Sequence, residues 1–505
     1  MKTSMKASLV SAAVASVLGS AAHALPASNW TDGQINVFYA GGGSAEVQAI
    51  YVAVSKLLNT SSIGVYTDGT GTAKHPQSAN YLAVSGTLNA AVGGLASGAE
   101  VGFIYKYNGG SFPNGGLPHA GATPTTLAYP TLTSLATGVA TGPVANSGPY
   151  PSSLNPNFVY TGANTNNQIP DWGITDEEEK LFNFPFNLNG ANGNKAFATL
   201  GGHQQPLYVA PFGVAVTSAL YNFKKNWSRG EVAAVLAGSV LQWSQLKGDN
   251  GAALPASLGQ VTLIDRGSGS GTKAAGTAFF LDYPAGSFSL GGAITPNSVA
   301  LTLGTNTFPN GGYTGTVINT AFSTANTEIQ DIKEASSVAE ADDLLTANAA
   351  GVGALAILGL EFPPSFEQNN ANANDYFFVA IDGTYPDSET GDDNINTTSA
   401  TGSTRYSNIV NGTYTFAYQT GFNYHAATIS ALPAFQQAIF NNLTNENISS
   451  AHTGTAFPAS TPGVLLDQVT TGKTDAGNLS WSRRANSSGA PQFVGPVSAA
   501  NPDPL

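Results

Sequence analysis

The chain contains no cysteine in 505 residues, which excludes disulfides, thiolate metal sites, thiol catalysis and a lipid-modified cysteine. Charge is scarce too. Charged residues make up 10% of the chain, against roughly 25% in typical soluble proteins, so solubility must come from Asn, Ser, Thr and Gly. Lys and Arg number 18 against 31 Asp and Glu, a formal charge of -13, and no basic cluster interrupts that deficit. Nucleic acid and anionic membranes are excluded as partners, because phosphate backbones are held by clustered cations. A small anion is not excluded, since it needs only local backbone N–H groups and one arginine. The histidines His23, His75, His119, His203, His425 and His452 show neither His-x-His nor His-Glu-x-x-His spacing, so no metal site and no cofactor is expected. Beyond the N-terminus no run approaches the ~20 apolar residues of a membrane span, and no membrane insertion is expected.

What the sequence does contain begins with a basic start, Met1 to Lys6, an apolar run from Ala7 to Leu18, and Ala22-His23-Ala24. That order reads as a secretory signal over residues 1–24 and a periplasmic or secreted mature protein. Hydrophobic residues make up 42%, enough for two cores in a chain too long for one.

Periodicity alternates between strand and helix. Val37–Tyr39 reads as a strand, Gly41-Gly42-Gly43 as a turn and Ser44 as the N-cap of a helix carrying Val47, Ile50, Tyr51, Val54 and Leu58. Glu100–Tyr107 is a strand ending in Asn108-Gly109-Gly110-Ser111, and 112–170 reads as a long irregular surface insertion. Thr175 and Glu178 have capping-box spacing at the start of a short helix. Leu207–Leu220 reads as a buried strand, Ser228 and Glu231 as a second capping box closed by Gly238, and Val261–Ile264 as a strand. Helical character follows over Thr272–Leu281 and Ala434–Leu443, with a second polar insertion at 383–412. The alternation predicts an α/β protein with ligand loops at strand carboxyl ends.

One segment carries most of the chemistry: Asp265-Arg266-Gly267-Ser268-Gly269-Ser270-Gly271-Thr272. After a strand, glycines let the backbone approach a ligand, and the following helix aims its free N–H groups at the same point. Ser270 and Thr272 add hydroxyls, and the Arg266 fork can pair with two oxygens of an oxyanion. A glycine-serine turn with a solvated arginine has the same letters. Gly43-Ser44, Gly110-Ser111 and Thr175-Asp176 repeat the strand-to-loop pattern, although ordinary capping accounts for each alone.

Taken together these residues resemble the phosphate-binding proteins of ABC phosphate transporters, within the two-lobed type II periplasmic-binding-protein superfamily. Arg266–Thr272 is similar to that family's Arg-x-x-Gly-Ser-Gly-Thr loop. Glu231–Trp243 resembles its apolar helix, glycine, link and tryptophan, and Asp171–Asp176 its Asp-Phe-Gly-x-Ser-Asp element. The resemblance implies two lobes, each a mixed sheet flanked by helices, with lobe 1 formed by 25–210 plus 366–505 and lobe 2 by 211–365. The chain would cross between lobes near Val209–Pro211 and Glu361–Phe366. It implies an oxyanion, phosphate first, bound by Ser44, Ser111, Asp176, Arg266, Ser270, Gly271 and Thr272 as the lobes close. Asp176 would accept the P–OH hydrogen bond that hydrogen phosphate offers and sulfate cannot. An ABC transporter permease is the implied protein partner. The first loop departs from the pattern: Ala40–Ala45 has no aromatic after Ser44. Two other readings stay open, a secreted surface or matrix protein that kept the fold without a ligand, and a phosphatase or esterase. Neither Ser111 nor Ser270 sits in Gly-x-Ser-x-Gly, so no catalytic residue is assigned and a non-enzyme is expected.

Overall fold

The computed structural model describes residues 24–68, 80–143, 156–177, 203–281, 330–360, 376–386 and 407–444, with short gaps, together with a few short segments elsewhere. The signal-like segment and most of the second polar insertion lie outside the described residues. The first lobe begins with β1 (Asn36–Gly42), α1 (Val47–Ser55), β2 (Gly64–Thr67), β3 (Tyr81–Thr87) and β4 (Glu100–Lys106). β5 (Val139–Pro143), β6 (Pro156–Val159) and β7 (Trp172–Thr175) follow, and then the 15-residue β8 (His203–Thr217). The second lobe adds α2 (Arg229–Leu236), β9 (Thr262–Arg266), α3 (Gly271–Leu281), β10 (Gln330–Glu334), α4 (Ser337–Ala349), β11 (Ala354–Gly359) and β12 (Tyr376–Phe378). β13 (Ala417–Tyr424) and α5 (Ala434–Thr444) complete the arrangement.

These thirteen strands form one hydrogen-bonded series in the order β10-β9-β11-β8-β13-β7-β1-β4-β3-β2-β6-β5, with β12 also paired to β8. Two separate cores divide it. Val209 to Leu281, Ala341 to Leu360 and Tyr376 to Tyr418 supply one; Ala40 to Tyr107, Trp172, Leu207, Phe422, Tyr424 and α5 supply the other. The fold is therefore α/β and two-lobed.

β8 pairs with β13 along His203–Pro211 and with β11 along Phe212–Val216, so it runs from one lobe into the other. β13 returns beside it, with Tyr418 in the second core and Phe422 in the first. The second crossing is thus a strand paired to the first, near Tyr418–Gly421, whereas 361–375 falls outside the described residues. Tyr376–Ile381 and Ile409–Tyr418 pack in the second core, so that lobe extends well past residue 365. Long-range strand pairing, which no local pattern encodes, fixes that boundary.

Strand alternation explains the first lobe's two faces. Val65, Leu82, Val84, Phe103 and Tyr105 face α1 and α5, while Tyr66, Ala83 and Ile104 face the other way. Trp30, Tyr129, Leu135, Phe158 and Tyr160 cover that second face. Residues 112–170 are therefore not merely surface decoration. Their described part supplies a core layer and two sheet strands, because a few aromatics suffice to seat short, uncharged strands.

Other local readings changed as well. Trp172–Thr175 is a strand, paired parallel to β1 at Ala40–Gly42 and antiparallel to β13; Glu178, the other half of the capping-box spacing read at Thr175, lies outside the described residues. The helix after β1 begins at Val47, preceded by Glu46 with helical dihedrals and without a side-chain cap. Ser44 is therefore not its N-cap. At Ser228 the local reading holds: its hydroxyl accepts from the Glu231 N–H at 3.2 Å, and the Glu231 carboxylate accepts from the Ser228 N–H at 2.9 Å.

Candidate functional site

Five parallel strand ends meet between the lobes. β1 pairs parallel with β4 and β7, and β9 pairs parallel with β10 and β11. The segments leaving β1, β4 and β7 carry Ser44, Ser111 and Asp176; those leaving β9 and β10 carry Arg266–Thr272 and Ser337. Carboxyl ends of parallel strands are where open α/β sheets place their ligands.

The two sides touch through backbone. The Phe112 N–H donates to Gly269 O at 3.1 Å. Gly110, at φ +103°, lies so close that a Cβ there would sit 2.6 Å from the Gly269 carbonyl oxygen, an approach that only glycine permits. A small apolar contact of Phe112, Phe182 and Ala274 backs this junction.

All six predicted side chains are buried: Ser44, Ser111, Asp176, Arg266, Ser270 and Thr272. Asp176 is central. Its backbone N–H donates to Ser111 Oγ at 3.5 Å, and its carboxyl lies between Gly43 of one lobe and Gly271 of the other, where a Cβ on either glycine would overlap it. Asp176 Oδ1 accepts no hydrogen bond, and Thr272 Oγ1 is likewise without a partner. Burial pushes the Asp176 carboxyl up to about 6, against the lowering effects of hydrogen bonds from Glu46, Ser111 and the Thr272 backbone and of the Arg266 charge. Glu177, also fully buried, is pushed well above the carboxylate range, chiefly by desolvation and then by Asp176 and Glu46.

Arg266 lies at the end of β9. Its Nη1 donates to Ser337 Oγ at 2.5 Å and stands 4.0 Å from Glu340 Oε2. Ser44 Oγ donates to the same Ser337 oxygen at 3.1 Å, so one hydroxyl links the first loop of lobe 1 to the arginine of lobe 2. Lys273 forms an ion pair with Asp265 and donates to Arg266 O at 3.1 Å. It braces the loop from behind. Ser270 Oγ accepts from the Lys273 N–H at 3.4 Å as α3 begins, leaving the first N–H groups of that helix directed at the junction. A small cavity behind the loop, lined by Leu263, Asp265, Arg266, Lys273, Thr277 and Glu340 among others, lies within lobe 2 rather than between the lobes.

All seven predicted residues therefore fall in one patch. Sequence reasoning missed Glu46, Glu177, Ser337 and Glu340. Ser337 and Glu340 had a readable signal, the Ser-x-x-Glu spacing of a capping box at the start of α4. Glu46 directly follows the Gly-Gly-Gly-Ser-Ala turn, an odd place for an acid beside an anion loop.

Phosphate-binding proteins are among the solved structures this chain resembles. A Clostridium perfringens protein assigned to phosphate ABC transport, holding phosphate, is 10% identical over 82% of this chain and 96% of its own, with a TM-score of 0.37. The high-affinity periplasmic phosphate-binding protein PfluDING, bound with phosphate, is 13% identical over 88% and 96%, with a TM-score of 0.36. A phosphate-binding protein from Stenotrophomonas maltophilia is 14% identical over 85% and 99%, with a TM-score of 0.32. No family model matches the chain, and no curated protein matches it in sequence. The two-lobed architecture rests on the sheet order and the cores. Among the described residues no helix is long and apolar enough to cross a membrane.

Proposed function

We propose that this chain is an exported solute-binding protein that closes two lobes on a small inorganic oxyanion, phosphate first, without catalysis. The observation that carries the reading is the meeting of five parallel strand ends around buried donors and the buried acceptor Asp176. Ser44, Ser111, Ser270 and Thr272 supply hydroxyls, Arg266 the cation, Gly271 the N–H of a helix start, and Asp176 an acceptor with a free oxygen. Donors around a water-excluded point suit an anion, and an acceptor among them suits an anion that carries a proton.

Closure follows from the connection between the lobes. Bending of the paired β8 and β13 strands brings the Arg266–Thr272 loop onto Ser44, Ser111 and Asp176 and excludes water. Hydrogen phosphate then gives its P–OH proton to a hydrogen bond with Asp176 Oδ1, whereas sulfate would face that oxygen with another acceptor. Delivery to an ABC transporter permease, from the periplasm or the cell exterior, is the role this implies.

The test is a thermal-shift panel of phosphate, sulfate and molybdate, followed by calorimetric titration of the wild type and Asp176→Asn. A ligand at ~100 times its Kd adds about 2.7 kcal/mol. Phosphate is expected to stabilise the wild type and sulfate to do so far less, with the preference narrowing in Asp176→Asn because the amide can donate. No shift with any anion would favour a surface protein that kept the fold. Equal wild-type affinity for phosphate and sulfate would remove the role given to Asp176.

A further inference from the structure

The first loop has no aromatic after Ser44, yet a tyrosine reaches it from another strand. Tyr105 of β4 is fully buried, and its hydroxyl donates to Gly43 O at 2.9 Å. Gly42 makes that approach possible, since a Cβ there would sit 2.3 Å from the Tyr105 hydroxyl oxygen. The ring packs in the first core beside Tyr107 and Trp172, with centres 6.4 Å away in each case. Its neighbours hold it still, so the hydroxyl is a fixed point against which the loop is set.

A trans peptide is planar, with its C=O and N–H pointing in opposite directions. Drawing Gly43 O toward Tyr105 and the first core therefore turns the Ser44 N–H away from that core. Among the described residues this N–H has no acceptor, although Ser44 is buried and buried backbone donors are almost always paired. Its surroundings are the candidate site. A Cβ on Gly43 would lie 2.1 Å from Asp176 Oδ1 and 3.0 Å from Ser111 Cβ, and the Ser44 hydroxyl reaches Ser337 beside Arg266. Asp176 Oδ1 itself accepts no hydrogen bond, so it does not satisfy the Ser44 N–H. A second tyrosine makes the same bond elsewhere. Tyr129, equally buried, donates to Ala40 O at 2.9 Å, inside β1 where Ala40 pairs with both β4 and β7. The two hydroxyls match in burial and distance, but Tyr105 acts on the peptide that enters the site.

We infer that Tyr105 is a positioning residue of the anion site, which holds the Gly43–Ser44 peptide so that the Ser44 N–H donates to the ligand. The inference rests on the anion reading above. Ser44 then offers a backbone donor besides its hydroxyl, on the lobe 1 side, facing the Gly271 N–H that lobe 2 brings at the start of α3. Tyr105→Phe removes one oxygen atom and leaves the ring in its packing. Gly43 O loses its donor, and the peptide is no longer held in one orientation.

The experiment measures phosphate Kd by calorimetry, and melting without ligand, for the wild type, Tyr105→Phe and Tyr129→Phe. It also follows the Ser44 amide proton by NMR in protein carrying isotope-labelled serine, with the resonance assigned by its loss in Ser44→Ala. Each tyrosine variant leaves one buried carbonyl without its donor, so both should melt below the wild type by similar amounts. Phosphate affinity is expected to fall about tenfold in Tyr105→Phe, the lower end of what a hydrogen bond to a charged group contributes, and to keep its wild-type value in Tyr129→Phe. Phosphate should move the wild-type Ser44 amide proton downfield, as a short bond to a charged oxygen does, and the displacement should shrink in Tyr105→Phe but not in Tyr129→Phe. Equal Kd in the wild type and Tyr105→Phe overturns the inference, and so do equal affinity losses in the two tyrosine variants, which would make Tyr105 a packing residue. If Tyr105→Phe does not fold, the wild-type resonance decides: a downfield move supports the Ser44 donor and an unmoved amide overturns it. A wild type that binds no phosphate refutes the anion reading and takes this inference with it, whereas binding with an unmoved Ser44 amide refutes this inference alone.

Discussion

Gly271→Ala separates closure from folding. Gly271 is the first residue of α3 in lobe 2, and the atoms that a Cβ there would strike belong to Asp176 of lobe 1: Oδ2 at 2.0 Å, and Cβ and Cγ at 2.3 Å. Two of those atoms lie near the root of a short, fully buried side chain, so the obstruction cannot be moved aside by swinging a flexible tip. Overpacking of this kind costs about 1–3 kcal/mol, which is roughly 5- to 150-fold in affinity at 1.4 kcal/mol per tenfold. With the lobes apart the same methyl meets no Asp176, and alanine in a helix is favoured over glycine by up to about 1 kcal/mol. The variant should therefore melt at or slightly above the wild-type midpoint without ligand, yet lose one to two orders of magnitude in phosphate affinity and most of the phosphate-induced shift. Gly94→Ala is the control, since a Cβ there meets nothing within 4 Å. Calorimetric titration and melting with and without phosphate read both effects. Wild-type affinity in Gly271→Ala, or an unliganded midpoint lowered by several degrees, would refute a closure made between Asp176 and the α3 start.

Two further outcomes follow from contacts already described. Ser337→Ala removes the hydroxyl that accepts from both Arg266 and Ser44; hydrogen bonds to charged groups contribute about 1.5–3 kcal/mol, so phosphate should bind roughly 10- to 150-fold more weakly, and an unchanged Kd in titration would deny Ser337 its bridging role. Trp172→Phe leaves the buried Gln436 Oε1 without its indole donor at 2.5 Å and loosens the stack on Phe422, whose ring centre lies 4.9 Å away. Urea denaturation should show a loss of about 2–4 kcal/mol, and a loss below 1 kcal/mol would mean that this polar anchor is not needed.

What could be read without coordinates was whatever chemistry is local. The Ser228–Glu231 box is a short-range arrangement whose partners lie three positions apart, and the Arg266–Thr272 loop is a contiguous motif whose glycines, hydroxyls and arginine are legible in one stretch of chain. Ser44 shows the limit. Local rules make it a cap, but its hydroxyl goes to Ser337, 293 positions away, and the helix starts later without it. The acids around Asp176 were missed for another reason. Their effect is electrostatic, and burial, which sets its size, is a property of the assembled lobes.

The connection between the lobes also bears on how the molecule moves. β8 and β13 stay hydrogen-bonded to each other where they pass between the cores, and their register slips between Pro206 and Val209. A two-stranded ribbon is stiff along its length but twists and bends easily across it, and an irregularity concentrates the bend at one place. Such a joint behaves as a leaf spring rather than a swivel. Under the proposed closure it would hold the lobes to one path and resist shear that would misalign the Ser44 and Arg266 sides.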